Sequence, residues 1–538
     1  MSKIKIFIFG ALLVYLPACV MLGMQEDALI TAAEKGNMVK TKELLQGTAD
    51  VNYVTKDQKS PLLAAASGGH LAIVKLLVSK GADVDLSNES GMTALMEAAA
   101  NGHEAVARFL IGEGAEVSLK DKKGFSALHF AARGGDTDTI RLLLGNGAKI
   151  NAISKDGSPP LFIAVEKENE AAAALFIESG AKLDATEDED KEAAEIFNQG
   201  GELDVSDEEG TTALHLAAKK ANYELVKMLI DAGINVSAKR AGGENALLVL
   251  AGSNHYRIID NLYGRVADAK VDTPDEKYGL YELSASLEMI NPEYSRPEQI
   301  REFYDFLEES KLYIDISGTQ FQSMIDQLRK DYLRTSKLLL DSGIGINSTD
   351  NRQQTVLIQI CSQKSDVSEE FKEKSIQLSS DVEKRFRMAC DMAKNIHMDL
   401  LRLLINSGAD IRLGDENDQT ALMAACENEH LEYVKLLLES GADVNRSNRE
   451  GWTPLIFAVA NEDDEMARLL IDKGAHVNAA NSFGETALLK AVHRQNPKLV
   501  ELLLKNGANP DLKNFRGSSP LSVARENGYS EILEMLER

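Results

Sequence analysis

The residues with the widest chemical range in this 538-residue chain are its nine histidines and four cysteines. Histidine can serve as a general base or metal ligand, and cysteine as a nucleophile, metal ligand or disulfide partner. Neither set has the spacing those roles need. No two cysteines stand at C-x-x-C, and after Cys19 only Cys361, Cys390 and Cys426 remain, an odd number. H-E-x-x-H, G-x-S-x-G, G-x-x-x-x-G-K-[ST] and a G-x-G-x-x-G after a strand are all absent. His129 and His215 each follow a hydroxyl residue, Ala and Leu, while His70, His103 and His430 each precede a helix start. Such recurrence argues for structural hydrogen bonding. His255, His397, His476 and His493 stand off those marks, with no Cys, Asp or Glu around them at ligand spacing. The expectation is a protein that is not an enzyme and holds no metal or cofactor.

The elements that carry these residues follow a single period. Leu62, Leu95, Leu128 and Leu161 are 33 apart, and so are Leu422, Leu455, Leu488 and Leu521. A glycine follows each of these leucines by nineteen residues, as Gly81 follows Leu62. Ser60-Pro61-Leu62 and Thr453-Pro454-Leu455 place a hydroxyl at an N-cap and proline at the first helical position, where its missing N–H is harmless. The first helix is Ala-rich and ends at Gly-Gly-His or Asn-Gly-His; the second carries Ile73, Leu76 and Leu77 as one apolar stripe. Gly81 ends it in the left-handed conformation, and Ala82 to Gly91 reads as an extended loop or hairpin, called the finger below.

The strings Thr212 to Ala218 and Val434 to Asn445 resemble the ankyrin repeat, and the likeness covers nearly the whole chain after residue 24. The resemblance implies an all-α helix-turn-helix-finger solenoid in which each pair buries its stripe against the next. About 14–15 stacked repeats are expected. Residues 25–251 form an N-terminal array, opened by a less regular capping unit around Leu29. An acidic half-repeat insertion near 184–209 carries twelve carboxylates and one lysine from Asp184 to Glu209. It reads as a solvated edge, with a docking strip or weak divalent-ion site as the alternative. Residues 252–395 read as degenerate, insertion-containing helical repeats: Met324 with Gly343, and Ala389 with Gly408, keep the nineteen-residue spacing. Ser368 to Lys394 reads as a helical unit without a finger, or else as a projecting hairpin. Residues 396–538 form a C-terminal array. Cys361 and Cys426 each fall four residues after an anchor leucine and are expected to be small buried side chains.

The N-terminus looks different. Lys3 and Lys5 precede an apolar run, Ile6 to Leu16, too short to span about 30 Å of hydrocarbon but suited to a signal peptide over 1–18. The run ends in Leu16-Pro17-Ala18-Cys19, which resembles a bacterial lipobox and implies lipidation of Cys19; Pro17 departs from the usual small residue. A secretory signal cut nearby, or an uncleaved anchor or mis-assigned start, is the alternative. The expected location is the cell envelope, on the periplasmic or surface side, with secretion as the other outcome.

Lys and Arg number 59 against 84 Asp and Glu, a net charge of −25, which argues against nucleic acid as a partner. The repeat likeness implies protein partners bound through the concave face and fingers, by a monomer. Candidate contact residues are those that break the repeat near the C-terminus: Arg446, Arg449, Trp452, Phe483, His493, Arg494, Phe515 and Arg516. Trp, Phe and Arg are enriched at binding hot spots. The competing reading folds Phe483 and Phe515 onto their own loops and sets Trp452 over a helix end. A ligand or catalytic site in 252–395, and an effector or protector that binds one envelope or host enzyme, are further alternatives.

Overall fold

Each 33-residue period folds as two short antiparallel helices and a finger. The structure, a computed structural model, describes residues 18–47, 49–55, 58–181, 209–252, 318–363 and 380–538. These fall into two compact units, one of Met1–Ala217 with Glu224–Asn235 and the other of Ala218–Tyr223 with Val236–Arg538. Residues 182–208, 253–317 and 364–379, the acidic stretch among them, lie outside the described residues, as does the N-terminal segment up to Pro17, on which the signal-peptide expectation rests.

In the first unit the inner helices Pro61–Ser67, Ala94–Ala100, Ala127–Gly134 and Pro160–Glu166 pack one on the next. The outer helices Leu71–Ser79, Glu104–Gly112, Thr137–Gly145 and Glu170–Glu178 form a second layer. The expected caps are in place: Ser60 Oγ accepts from the Leu63 amide at 3.2 Å. The anchor leucines 62, 95, 128 and 161 are at most 2% exposed, each contributing about 1.5–3 kcal/mol of burial. Close contact of the inner layer needs glycine at Gly134, where a Cβ would meet the Ala100 carbonyl oxygen at 2.7 Å. The unit opens with a helix over Ala18–Glu34, starting earlier than the expected 25, so Cys19 stands in its first turn. The pair Ala213–Lys219 and Tyr223–Asp231 follows the insertion.

The recurring histidines are fasteners. His70 Nε2 reaches the Glu34 carbonyl and His103 Nε2 the Ser67 carbonyl, each at 2.9 Å, tying one repeat to its predecessor. Asn169 does the same at 3.0 Å to Ala132 and Arg133. His129 Nδ1 accepts the Ser126 amide at 3.0 Å, while its Nε2 reaches the Ser158 carbonyl of the next finger at 3.2 Å. Burial pushes His129 down to about 4, so the ring is neutral. His397 corrects the sequence reading. It stands eight residues after the frame position of Ala389, the place His70 holds after Leu62, and is fully buried.

The second unit also revises the central segment. The inner helices Ala246–Ala251, Val356–Cys361 and Ala421–Glu427 are consecutive layers of one row. The fingers agree: the Asn351 amide donates to the Gly242 carbonyl at 2.8 Å, and the Glu416 amide to the Arg352 carbonyl at 3.0 Å. Regular neighbours make the same bond, as Lys155 does to Lys123 at 2.8 Å. The Met324 and Ala389 positions do not start inner helices. They lie within single long helices, Gly318–Asp341 and Ser380–Asn406, whose C-terminal halves serve as outer helices and end before Gly343 and Gly408. Because the inner row is already closed, these stretches have no layer to enter. The described part of 252–395 therefore completes two split repeats and adds no whole ones. Among the described residues there are twelve helix pairs, the last being Pro520–Asn527 with Ser530–Leu536.

Candidate binding surface

Each finger is a turn locked by its own side chains. In the last two, Asn481 Oδ1 accepts the Phe483 and Glu485 amides at 3.0 and 2.9 Å, and Asn514 Oδ1 accepts those of Arg516 and Ser518, each at 3.0 Å. The tips are joined by the Phe515 amide donating to the Phe483 carbonyl at 3.0 Å. Their aromatic side chains face water: Phe483 is 58% exposed and Phe515 81%. They do not fold onto their own loops.

Other predicted residues divide into engaged and open. The Arg446 guanidinium donates to the Arg412 carbonyl at 2.7 Å, and Arg449 pairs with Asp418 at 3.2 Å. Both are tied to the preceding finger. Arg494 and Arg516 are exposed, and among the described residues neither side chain has a carboxylate partner. His493 is exposed on the end of the inner helix Ala487–His493, with its pKa lowered by partial burial and by Lys490 against the pull of Glu485.

Trp452 is half-buried just before the inner helix Pro454–Ala460. It stacks on Phe457 with ring centroids 5.0 Å apart, as the competing sequence reading anticipated for a cover over a helix end. Lys490 Nζ from the next repeat lies 5.2 Å from the indole centroid and pairs with Glu485 at 2.5 Å. Burial pushes Glu485 up, but Lys490 and Asn481 outweigh it and hold the carboxyl below its ordinary range. The arrangement is an aromatic and ionic floor between finger and inner helix, offering contact rather than proton transfer. Phe457, Glu485 and Lys490 were missed in the sequence. Their signal was present, since Glu485 and Lys490 hold the same repeat positions as Trp452 and Phe457, 33 residues on.

No group of three or more His, Cys, Asp or Glu that could hold a metal occurs among the described residues. Cys361 and Cys426 are buried free thiols, with burial pushing Cys361 far above its ordinary value. A shallow cleft in the second unit is lined by Asn347, Ile405, Asp410, Arg412 and Ser440. Its charged groups neutralise each other, Arg412 holding Asp410 down to about 2.

Models of ankyrin repeats in three copies match residues 29–121, 108–187, 183–275 and 386–481, and a model of many copies matches 459–504. Together they cover more than half of the chain. The chain belongs to the ankyrin repeat family. It is also similar to the crystal structure of the human ASB11 ankyrin repeat domain, with 28% identity over 41% of this chain and 90% of that one, at a TM-score of 0.34. As an ankyrin repeat array the protein is a protein-interaction scaffold of a family that is typically non-enzymatic. Among the described residues, no helix is long and apolar enough to cross a membrane.

Proposed function

We propose that this chain is an exported, lipid-anchored scaffold that binds partner proteins through the fingers and inner helices of its C-terminal repeats. The observation that carries the binding face is the pair of exposed phenylalanines, Phe483 and Phe515, on tips held together by a backbone hydrogen bond. Locked tips lose little entropy on binding, and exposed aromatics beside arginine are the residue types on which interface energy concentrates. The test is crosslinking in intact cells, with capture compared between the wild type and a Phe483→Ser/Phe515→Ser variant. Loss of a captured partner supports the face, and retention of every partner moves it elsewhere.

The anchor is supported by Lys3, Lys5, the Ile6 to Leu16 run and the Leu16-Pro17-Ala18-Cys19 string. Ten residues of helix separate Cys19 from buried Leu29, about 15 Å at 1.5 Å per residue. A lipid on Cys19 would hold the first repeat close to the membrane. Cys19→Ala should shift the protein out of the membrane fraction; unchanged fractionation would sink the lipoprotein reading.

A further inference from the structure

We propose that the tips of the last two fingers bind an acidic segment of a partner protein that carries an aromatic or large aliphatic side chain, an inference resting on the scaffold reading above. The first part of the case is apolar. Among the described residues only Val39, Leu413, Phe483 and Phe515 are exposed large hydrophobics, and the two phenylalanines are the ones on bonded neighbouring tips.

The second part is charge. From Gly474 to Arg525 there are seven Lys and Arg against three Asp and Glu, in a chain of net charge −25. Lys490, Lys505 and Arg525 are paired with Glu485, Glu501 and Glu537. Lys513 and Arg516, on the finger that carries Phe515, have no carboxylate partner among the described residues, and Asp511 is the one acidic residue beside them. Two exposed aromatic rings flanked by two open cations complement carboxylates around an apolar anchor.

The tip row also separates a short acidic segment from an anionic bilayer. The Ser482 amide bonds to the Glu450 carbonyl, so exposed Glu450 occupies the tip beside Phe483, and exposed Glu416 lies one finger further. A flat anionic surface laid along the row would meet both carboxylates. A peptide confined to the last two tips avoids them.

The test is selection of a random dodecapeptide library on the purified full-length chain, with flotation on 1:1 phosphatidylcholine/phosphatidylglycerol vesicles as a second arm. The expected result is enrichment of net-negative peptides containing an aromatic or large aliphatic residue. Their affinity should fall at least tenfold in Phe483→Ser/Phe515→Ser and in Lys513→Glu/Arg516→Glu. The charge-reversal effect should shrink in 0.5 M salt. These residues are exposed, so unchanged thermal unfolding serves as the control for folding. Enrichment of neutral or basic peptides, no enrichment, or affinities indifferent to both variants overturns the inference. Flotation that depends on the two phenylalanines also overturns it, in favour of a membrane surface. If crosslinked partners are lost in the Phe variant while the library yields no acidic sequences, the scaffold reading stands and this inference alone fails.

Discussion

The Asn351 side-chain amide donates to the Ala241 carbonyl at 2.7 Å across 110 residues of sequence. The bond joins neighbouring fingers of one continuous stack. Its loss should be felt in the second unit. Asn351→Ala is expected to lower stability by about 1 kcal/mol, the usual net worth of such a bond. Trp452 is the chain's only tryptophan and lies in this unit, so urea unfolding followed by its fluorescence reads the effect. An unchanged midpoint would mean that the two fingers are held by other contacts.

Two hydroxyls in the second unit mark a correctable weakness. Thr335 and Ser336 are fully buried, and neither hydroxyl has a hydrogen-bond partner. Regular repeats place apolar side chains at the corresponding points of the outer helix, as at Leu499 and Val500. Thr335→Val with Ser336→Ala keeps the shapes nearly constant and removes unpaired polar atoms, which cost about 1–3 kcal/mol each when buried. The double variant should gain about 1–2 kcal/mol in the same urea titration. A loss would show that the hydroxyls are satisfied in solution.

These two cases show where the sequence was readable. Leu62, Gly81 and Ser60 report on neighbours within one repeat, so spacing and residue type suffice to place them. Gly343 was readable as a helix end for the same reason. Met324 was not, because whether its stretch joins the inner row depends on Ala246–Ala251 already lying against Val356–Cys361. At the binding face, Arg446 and Arg449 have the same residue type as Arg516, but their partners Arg412 and Asp418 lie 34 and 31 residues away. Only the stacked fingers distinguish engaged arginines from open ones.

Backbone strain offers a third prediction. In the regular repeats a residue in the turn after the inner helix takes a positive φ. Gly69, Gly102, Gly135 and Gly528 fill this place in four repeats, but Glu168, Glu429, Glu462 and Gln495 fill it in others, the last two with φ of 61° and 55°. A left-handed conformation costs an L-residue about 1–2 kcal/mol. Glycine relieves this but enlarges the unfolded ensemble by about 0.4–1 kcal/mol. Glu462→Gly with Gln495→Gly should therefore raise stability by about 1 kcal/mol, visible as a higher melting temperature. A lower one would mean that the two side chains contribute more than their backbone strain costs.

Acid should weaken the second unit chiefly through His430. His430 Nε2 is hydrogen-bonded to the Gln363 carbonyl, its ring stacks on Tyr433 at 4.5 Å, and burial pushes its pKa down to about 4. The unfolded chain, with histidine near 6.5, binds the proton more readily. The stability from a neutral His430 is thus complete above about pH 6.5 and is lost as pH falls toward 4, amounting to about 2 kcal/mol at pH 5. Carboxylates such as Glu485, held below its ordinary range, titrate lower, while His493, lowered by partial burial, adds a smaller loss of the same sign. Asn169 fills the equivalent place in the first unit and makes the same inter-repeat bond without titrating. His430→Asn should match the wild type within about 1 kcal/mol at pH 7, and its urea midpoint should fall clearly less than that of the wild type between pH 6.5 and 5. Parallel declines in the two proteins would assign the acid sensitivity to other groups.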